Sequence, residues 1–201
     1  MKTRSNFTVE KIETYGSDAM VSRFAAICYD KEDGAFSRLE TIAKTDHESP
    51  LRSVGMVLRL EIPLWVWKQL MRSEIGRSFL EMSFRYVKAE NAEFYLPENL
   101  ESAGKVILKK FYESSLQTYS FLLEQKKTKP EMARIVLPQA IYTKINIVGS
   151  LSWAYRIKKL RTDNPHAQKE TRIVSEMIWK EFKENFPVIC GLLENKDNKG
   201  G

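Results

Sequence analysis

The chain has 201 residues, of which 43% are hydrophobic and 29% are charged, and this composition is typical of an ordinary soluble globular protein. The length suffices for one domain with a full hydrophobic core, and no linker divides the sequence. No apolar run reaches the roughly 18 residues that a membrane-spanning helix needs, and the amino terminus lacks a signal-peptide pattern, so we expect no membrane association.

The remaining composition restricts metals and partners. Cys28 and Cys190 are far apart and match no metal spacing, which favours a reduced, cytoplasmic setting. With only His47 and His166 in the chain, a histidine-built zinc site is not expected. The net charge of +6 and the pI of about 9.2 favour an anionic partner. The basic run over residues 144–161 is explained more simply by a solvated helix face than by nucleic-acid binding, and a nucleotide accounts for the same charge.

In the first half of the chain, apolar spacing predicts short helices and strands. The predicted elements are a helix over 18–29 with a strand-like end, a helix over 36–45, a strand over 54–62, a short helix over 64–72, and strands over 83–86 and 93–96. The strand over 54–62 is predicted from strict alternation of apolar residues and ends at Pro63. In the first helix, the residues predicted to face the core are Phe24, Ile27 and Tyr29.

The second half is predicted to be helical. The predicted helices cover residues 107–123, 130–138, 139–160 with an interruption near Gly149, and 167–186. Pro130 suits the first turn of a helix, and Pro138 suits the end of one. Few strands followed by helices indicate an α+β fold. We expect a single catalytic domain over residues 1–193 and a flexible polar tail over 194–201.

The segment over residues 72–86 carries the strongest chemical signal. It contains three arginines, two carboxylates and three serines between two apolar segments. Arginine forks beside serine hydroxyls suit a phosphate monoester, because guanidinium geometry matches phosphate oxygens in a bidentate way. The alternative is a solvated, charged surface turn.

Further polar runs accompany this segment in a fixed order. They are Asp-His-Glu-Ser-Pro-Leu from residue 46, Glu-Met-Ser-Phe-Arg-Tyr from residue 81, Ala-Arg-Ile-Val-Leu-Pro from residue 133, and the run from Arg161 to Ala167-Gln168-Lys169-Glu170. Over roughly residues 20–190, this ordered set resembles the flavin-dependent thymidylate synthases (ThyX). That family's signature is Arg-His-Arg, seven residues and then Ser, whereas here Arg72-Ser73-Glu74 and eight residues precede Ser83.

The resemblance implies a fold, a reaction and an assembly. The implied fold has a small, mainly antiparallel sheet packed with helices, in homotetramers whose sites are built from several subunits. The implied reaction transfers a one-carbon unit from methylenetetrahydrofolate by way of FAD to C5 of a uracil nucleotide, with NADPH or another reductant. The nucleotide is dUMP first, with UMP or dCMP as alternatives, and the product carries a methyl or a hydroxymethyl group.

The resemblance also implies residues for the nucleotide. The substrate-binding residues are Gln69, Glu81, Ser83, Arg85, Arg134 and Arg161, and catalytic roles fall to Arg161 and Ser83. A permanent cation at Arg161 would stabilise negative charge developing on O4 of the ring. No histidine lies near Ser83 in the sequence, so we do not expect an activated nucleophile there. The residues alone leave alternatives open: an Arg134–Glu131 ion pair or helix cap, a strand-edge hydroxyl at Ser83, and a surface helix end at Arg161.

For the flavin, the chain keeps part of the family pattern. The implied cofactor-binding residues are His47, Ser49, Arg72, Glu81, Arg156 and His166. Ser73 and Glu74 replace the histidine and the second arginine of the signature, and a glutamate reverses the charge expected beside a pyrophosphate. Arg77, in the one-residue insertion, is a candidate to restore that contact. The alternative function is therefore a nucleotide-binding scaffold without catalysis.

Overall fold

The computed structural model describes residues 1–45, 47–126 and 128–197, which form the predicted mixture of helices and strands. The strands are β1 Lys2–Arg4, β2 Thr8–Tyr15, β3 Gly55–Pro63, β4 Arg77–Glu81, β5 Glu93–Tyr95 and β6 Tyr142–Ser150. The helices are α1 Asp18–Ala26, α2 Ser37–Thr45, α3 Leu64–Leu70, α4 Ser102–Glu124, α5 Pro130–Ala133, α6 Leu151–Ile157, α7 Lys169–Asn185 and α8 Pro187–Asp197. Among the described residues, no helix has the length and apolar character needed to cross a bilayer. The cytoplasmic location stays a prediction.

A four-stranded sheet has the strand order β2-β3-β6-β4. Backbone hydrogen bonds fix the register of β6 against its two neighbours, β3 and β4. Beside β3, Leu64 N donates to Ile141 O and Leu151 N donates to Val54 O, both at 2.9 Å. Beside β4, Ser150 N donates to Gly76 O and Met82 N donates to Lys144 O, both at 2.8 Å. In both pairs the residue numbers rise along one strand as they fall along the other, so β6 is antiparallel to both neighbours, as expected. Strands β1 and β5 form a separate parallel pair.

The chain divides into two compact units. The first unit comprises Met1–Thr8, Leu60–Gln69 and Leu80–Ile145, and the second comprises Val9–Arg59, Leu70–Phe79 and Asn146–Gly201. In the first unit, α4 buries Tyr112 and Tyr119 in a cluster with Phe84 and Phe94. Ser115, on the same helix face, donates a hydrogen bond from its hydroxyl to the Val136 carbonyl at 2.7 Å, so its buried polar group is satisfied.

In the second unit, α7 and α8 complete the core. α7 buries Val174, Ile178 and Phe182, which recur at helical spacing. Trp179 Nε1 donates to Glu194 Oε1 of α8 at 2.8 Å. The predicted flexible tail began at residue 194, but α8 continues through Asp197, and residues 198–201 lie outside the described part of the chain.

Two predicted elements were wrong. Residues 83–86 form a turn instead of a strand, because the extended segment precedes them as β4. The predicted helix over 139–160 is instead β6, then α6, then a π-helical segment Lys158–Thr162. In β6, Ile145 and Ile147 are buried while Lys144, Asn146 and Val148 are exposed, which is the period of two that a half-buried strand requires.

The predicted inward face of the first helix was also wrong. Phe24, Ile27 and Tyr29 are 53%, 73% and 61% exposed. The core is reached instead by the small side chains of the opposite α1 face, including Val21 and Ala25. Close packing of that face leaves the larger apolar side chains on the surface of the second unit.

Gly76 offers a test of this fold. It precedes β4 with φ of 82°, and a Cβ there would clash with the hydroxyl of Ser150. We expect Gly76→Ala to lower the free energy of unfolding by about 1–3 kcal/mol, because the left-handed backbone and the clash both oppose a side chain. As a control, Gly191→Ala in α8 meets no described atom within 4 Å and should be stabilising by about 0.5–1 kcal/mol. Urea unfolding of both variants measures the difference, and equal stability would contradict the expectation.

Candidate active site

A cavity of about 380 Å³ in the first unit gathers three of the predicted substrate-binding residues. Glu81 ends β4, Ser83 follows two residues later, and Arg134 begins a short 3₁₀ turn after α5. The apolar side chains that line the same cavity are Leu64, Met82, Phe84, Ile135, Leu137 and Ile141. An apolar wall with a few converging polar groups is typical of a small-molecule site. We call this cavity the first-unit pocket.

Glu81 is the most constrained polar residue of the first-unit pocket. Its carboxylate accepts a hydrogen bond from Trp67 Nε1 at 3.1 Å and from Thr143 Oγ1 at 3.3 Å. Burial raises the pKa of Glu81 above its ordinary value, while these two hydrogen bonds and the charges of Lys68 and Arg134 oppose the rise. The carboxylate is therefore both partly desolvated and held in place.

Ser83 opens a tight turn beside the first-unit pocket. Its hydroxyl accepts a hydrogen bond from the Arg85 backbone N–H at 3.3 Å, and its carbonyl accepts from the backbone N–H groups of Tyr86 and Val87 at 3.0 Å. The local bonds explain why a serine stands here, since its hydroxyl can support a turn. Ser83 also lines the cavity, and its hydroxyl can still donate its own proton to a ligand.

The two arginines of the nucleotide set differ in their partners. Arg85 Nη2 lies 3.3 Å from Glu131 Oε2, and the side chains are 50% and 43% exposed. An ion pair this exposed contributes little to stability, so an anion can displace it at small cost. The alternative of an ion pair between Arg134 and Glu131 is not what the structure has, because among the described residues Glu131 pairs with Arg85. The described lining of the first-unit pocket does not include Gln69, which lies in the last turn of α3.

In the second unit, Arg161 and Arg72 lie close enough to interact. Arg161 belongs to the π-helical segment Lys158–Thr162 and is partly buried. Its pKa is lowered first by burial and then by the positive charge of Arg72. The repulsion is relieved when an anionic group binds beside both guanidiniums. This pair therefore fits a phosphate or a developing oxyanion.

The π-helical segment is anchored at both ends. Lys158 Nζ lies 2.7 Å from Asp163 Oδ2 and 3.4 Å from Asp197 Oδ2, and the lysine side chain is almost fully buried. Thr162 Oγ1 donates to Ser175 Oγ at 3.0 Å. Such segments occur frequently at functional sites. Arg161 thus projects from a fixed backbone.

Five of the six predicted flavin residues lie in the second unit, and the sixth, Glu81, lies in the first unit. Glu48 accepts a hydrogen bond from Ser152 Oγ at 3.3 Å and lies 3.7 Å from Arg156 Nη2. These contacts bring the exposed residues His47 and Ser49, on either side of Glu48, close to α6. His166 is also exposed, and its backbone N–H donates to Asn164 Oδ1 at 2.9 Å. Exposed imidazole and hydroxyl donors beside an arginine fit a polar, anionic cofactor such as FAD.

The altered signature has its own local structure. Ser73 is only 5% exposed. Arg77 donates from Nε to the Ser73 carbonyl at 2.8 Å and from Nη2 to the Met71 carbonyl, and its guanidinium stacks over the Phe79 ring at 4.8 Å. Arg77 therefore supports the turn that contains the signature, and our hypothesis that it restores a phosphate contact is not supported by these bonds. Glu74 remains exposed.

The chain is similar to known proteins over most of its length. A family model described as "Thymidylate synthase complementing protein" matches residues 12–188. The chain belongs to this family. A flavin-dependent thymidylate synthase of Thermotoga neapolitana is 32% identical, over 89% of this chain and 87% of the relative. Another, from Thermosipho melanesiensis, is 33% identical over 70% of this chain and 68% of the relative. These matches confirm the resemblance to ThyX.

A solved structure agrees with the fold. The UMP/dUMP methylase PolB from Streptomyces cacaoi, bound with 5-Br dUMP, superposes with a TM-score of 0.87 and covers 97% of both chains at 23% identity. At this identity the match establishes the fold and does not transfer individual residue roles.

Proposed function

We propose that this protein is an enzyme that transfers a one-carbon unit to C5 of a uracil nucleotide, with dUMP as the first substrate. The observation that carries the proposal is the first-unit pocket, where Glu81, Ser83 and Arg134 converge in a member of the ThyX family. The relatives are named flavin-dependent thymidylate synthases, and the structural neighbour is a UMP/dUMP methylase. The product carries a methyl or a hydroxymethyl group.

The chain's own residues have separate tasks in this proposal. Arg134 and Arg85 bind the phosphate through charge-assisted hydrogen bonds, and Ser83 donates its hydroxyl proton to the same ligand. We assign Arg161 to the ring, where its fixed charge would stabilise negative charge that develops on O4 as C5 becomes nucleophilic. Gln69 stays a predicted contact to the phosphate or the sugar. Each task is one of positioning or electrostatics.

The proposed cofactor is FAD. Arg72, Arg156, His47, Ser49 and His166 would hold it, because their N–H and O–H donors suit a polar, anionic ligand. Glu81 stays a predicted further contact. A bound flavin supplies the redox chemistry of the transfer, which no protein side chain provides. Methylenetetrahydrofolate is the proposed one-carbon donor, and NADPH or another reductant supplies electrons.

We further propose a homotetramer in which each site takes residues from more than one subunit. The exposed apolar side chains of Phe24, Ile27 and Tyr29 in the second unit support an association surface, because large apolar groups are costly to leave in water. The tetramer itself is an expectation from the family.

The direct test is an assay. Purified protein is incubated with dUMP, methylenetetrahydrofolate, FAD and a reductant, and the nucleotide is analysed by mass spectrometry. We expect a mass gain of one methyl or one hydroxymethyl group on dUMP, with UMP and dCMP assayed in parallel. Reactions without folate provide the control. Absence of any mass gain on all three nucleotides would reject the catalytic proposal.

Arg134 and Arg161 should separate binding from chemistry. Arg134→Ala should weaken dUMP binding by about 1.5–3 kcal/mol, the usual worth of a charge-assisted contact. Arg161→Ala should slow turnover more than it weakens binding, since its interaction strengthens in the transition state. Arg161→Lys should recover only part of the rate, because an ammonium lacks the planar fork.

Calorimetric titration and single-turnover kinetics measure the two quantities for these variants. The matched control is Arg172→Ala, which removes an exposed arginine of α7. Equal losses of binding for Arg134→Ala and Arg161→Ala, with the chemical step unchanged, would make Arg161 a second anchor.

A second function, a nucleotide-binding scaffold, is favoured by the buried Ser73 and the exposed Glu74 in the signature. Bound oxidised flavin absorbs at about 450 nm, so absorbance separates the two functions. The enzyme should be purified with flavin or take it up when FAD is added. A protein that binds dUMP but takes up no flavin would be the scaffold.

A further inference from the structure

The carboxylate of Glu81 is held by one donor on each oxygen. Trp67 Nε1 donates to Oε2 at 3.1 Å, and Thr143 Oγ1 donates to Oε1 at 3.3 Å. Trp67 and Thr143 are 0% and 1% exposed, so both donors are fixed by the core. One donor on each oxygen resists rotation of the carboxylate, which would otherwise turn freely about its terminal bond.

The restrained carboxylate still has acceptor capacity. An ionised carboxyl group offers about four lone-pair sites, and the two described donors use two of them. Glu81 also lines the first-unit pocket together with Ser83 and Arg134. A ligand in this pocket that has an N–H or O–H group can therefore donate to Glu81. A uracil nucleotide has such groups at ring N3 and on the sugar.

We propose that Trp67 and Thr143 are positioning residues for substrate recognition: they hold Glu81 so that its carboxylate accepts a hydrogen bond from the nucleotide in the first-unit pocket. This inference rests on the proposed function, because it takes the ligand of the pocket to be a uracil nucleotide. It adds two residues that do not touch the nucleotide and act only through Glu81.

Electrostatics give this arrangement a distinct signature. Burial raises the pKa of Glu81, whereas the hydrogen bonds from Thr143 and Trp67 and the charges of Lys68 and Arg134 lower it. Removing either hydrogen bond must therefore raise the pKa further. Since recognition requires an ionised acceptor, nucleotide affinity falls as the pH drops through this pKa. In a variant without one donor, that fall should begin at a higher pH.

The test compares dUMP binding across pH in the wild type, Thr143→Val, Thr143→Ser and Trp67→Phe. At neutral pH, Thr143→Val and Trp67→Phe should each weaken binding about five- to tenfold, on the scale of one ordinary hydrogen bond. Both variants should also begin to lose affinity at a higher pH than the wild type. Thr143→Ser keeps the hydroxyl and should retain both properties. The phosphate of dUMP titrates in the same range, so the shift is taken relative to the wild type.

Matched controls remove the same groups elsewhere in the first unit. Thr118→Val deletes a hydroxyl that donates to the Ser114 carbonyl on the exposed side of α4. Trp65→Phe changes a tryptophan whose ring packs edge-on against Tyr95 at 6.0 Å. Both controls should bind dUMP as the wild type does, and thermal melts show whether each variant is folded.

A double variant separates positioning from packing. In a Glu81→Gln background, Thr143→Val should cause no further loss of affinity and no pH shift, because its target charge is gone. Two analogues of dUMP, one methylated at N3 and one lacking the 3′-hydroxyl, identify the nucleotide group that donates to Glu81. The effect of Thr143→Val on binding should disappear for the analogue that lacks this donor.

If Thr143→Val and Trp67→Phe both bind dUMP with wild-type affinity and lose that affinity at the same low pH as the wild type, the inference is overturned while the proposed function stays intact. The inference would also be overturned if Thr143→Val weakened dUMP binding as much in the Glu81→Gln background as in the wild type. Failure of the wild type to bind any uracil nucleotide would instead overturn the proposed function.

Discussion

Backbone hydrogen bonding along β6 determines where the polar groups of the first-unit pocket lie. Leu64 N–H donates to the Ile141 carbonyl where β3 passes into α3, and Met82 N–H donates to the Lys144 carbonyl just beyond β4. A shift of this register by one residue would turn every β6 side chain to the other face. The register thus brings Thr143 within hydrogen-bonding distance of Glu81, and a pair of main-chain bonds fixes the geometry of a carboxylate.

The sequence predicted β3 and missed β6 for a physical reason. β3 is a run of apolar residues in alternation, which local hydrophobicity reveals directly. In β6 the buried positions include Thr143 and Ser150, whose burial depends on partners distant in the sequence. A pattern of apolar residues cannot identify a buried threonine that is satisfied by a carboxylate 62 residues away.

The residues of the candidate site were likewise predicted only in part from the sequence. The ordered motifs placed Glu81, Ser83 and Arg134 in one ligand set, and the structure brings all three to one pocket. Trp67 was not predicted, because its role arises only when α3 and β4 are packed in three dimensions. Conversely, Arg77 carried a charge that suggested phosphate binding, whereas its guanidinium bonds to main-chain carbonyls. An arginine in a polar segment has both uses, and only packing distinguishes them.

The segment with the altered signature is held by local contacts within the turn. The signature turn contains a buried serine, and Arg77 fills the space near the carbonyls of residues 71 and 73. Arg77 thus supports the turn in a chain that lacks the histidine and the second arginine of the family signature. In the second unit, Arg72 and Arg161 lie close enough for the charge of Arg72 to lower the pKa of Arg161.

The π-helical segment has a consequence for insertions and deletions. A segment with i→i+5 bonds contains one residue more than the α-helix that would occupy the same length, and each α-helical residue advances the side-chain direction by about 100°. Losing one residue before Arg161 in this segment would restore a regular helix and rotate Arg161 away from its present direction. A homologue with a regular helix here would align only with a gap inside the helix. The direction of one guanidinium thus depends on chain length as well as on residue type.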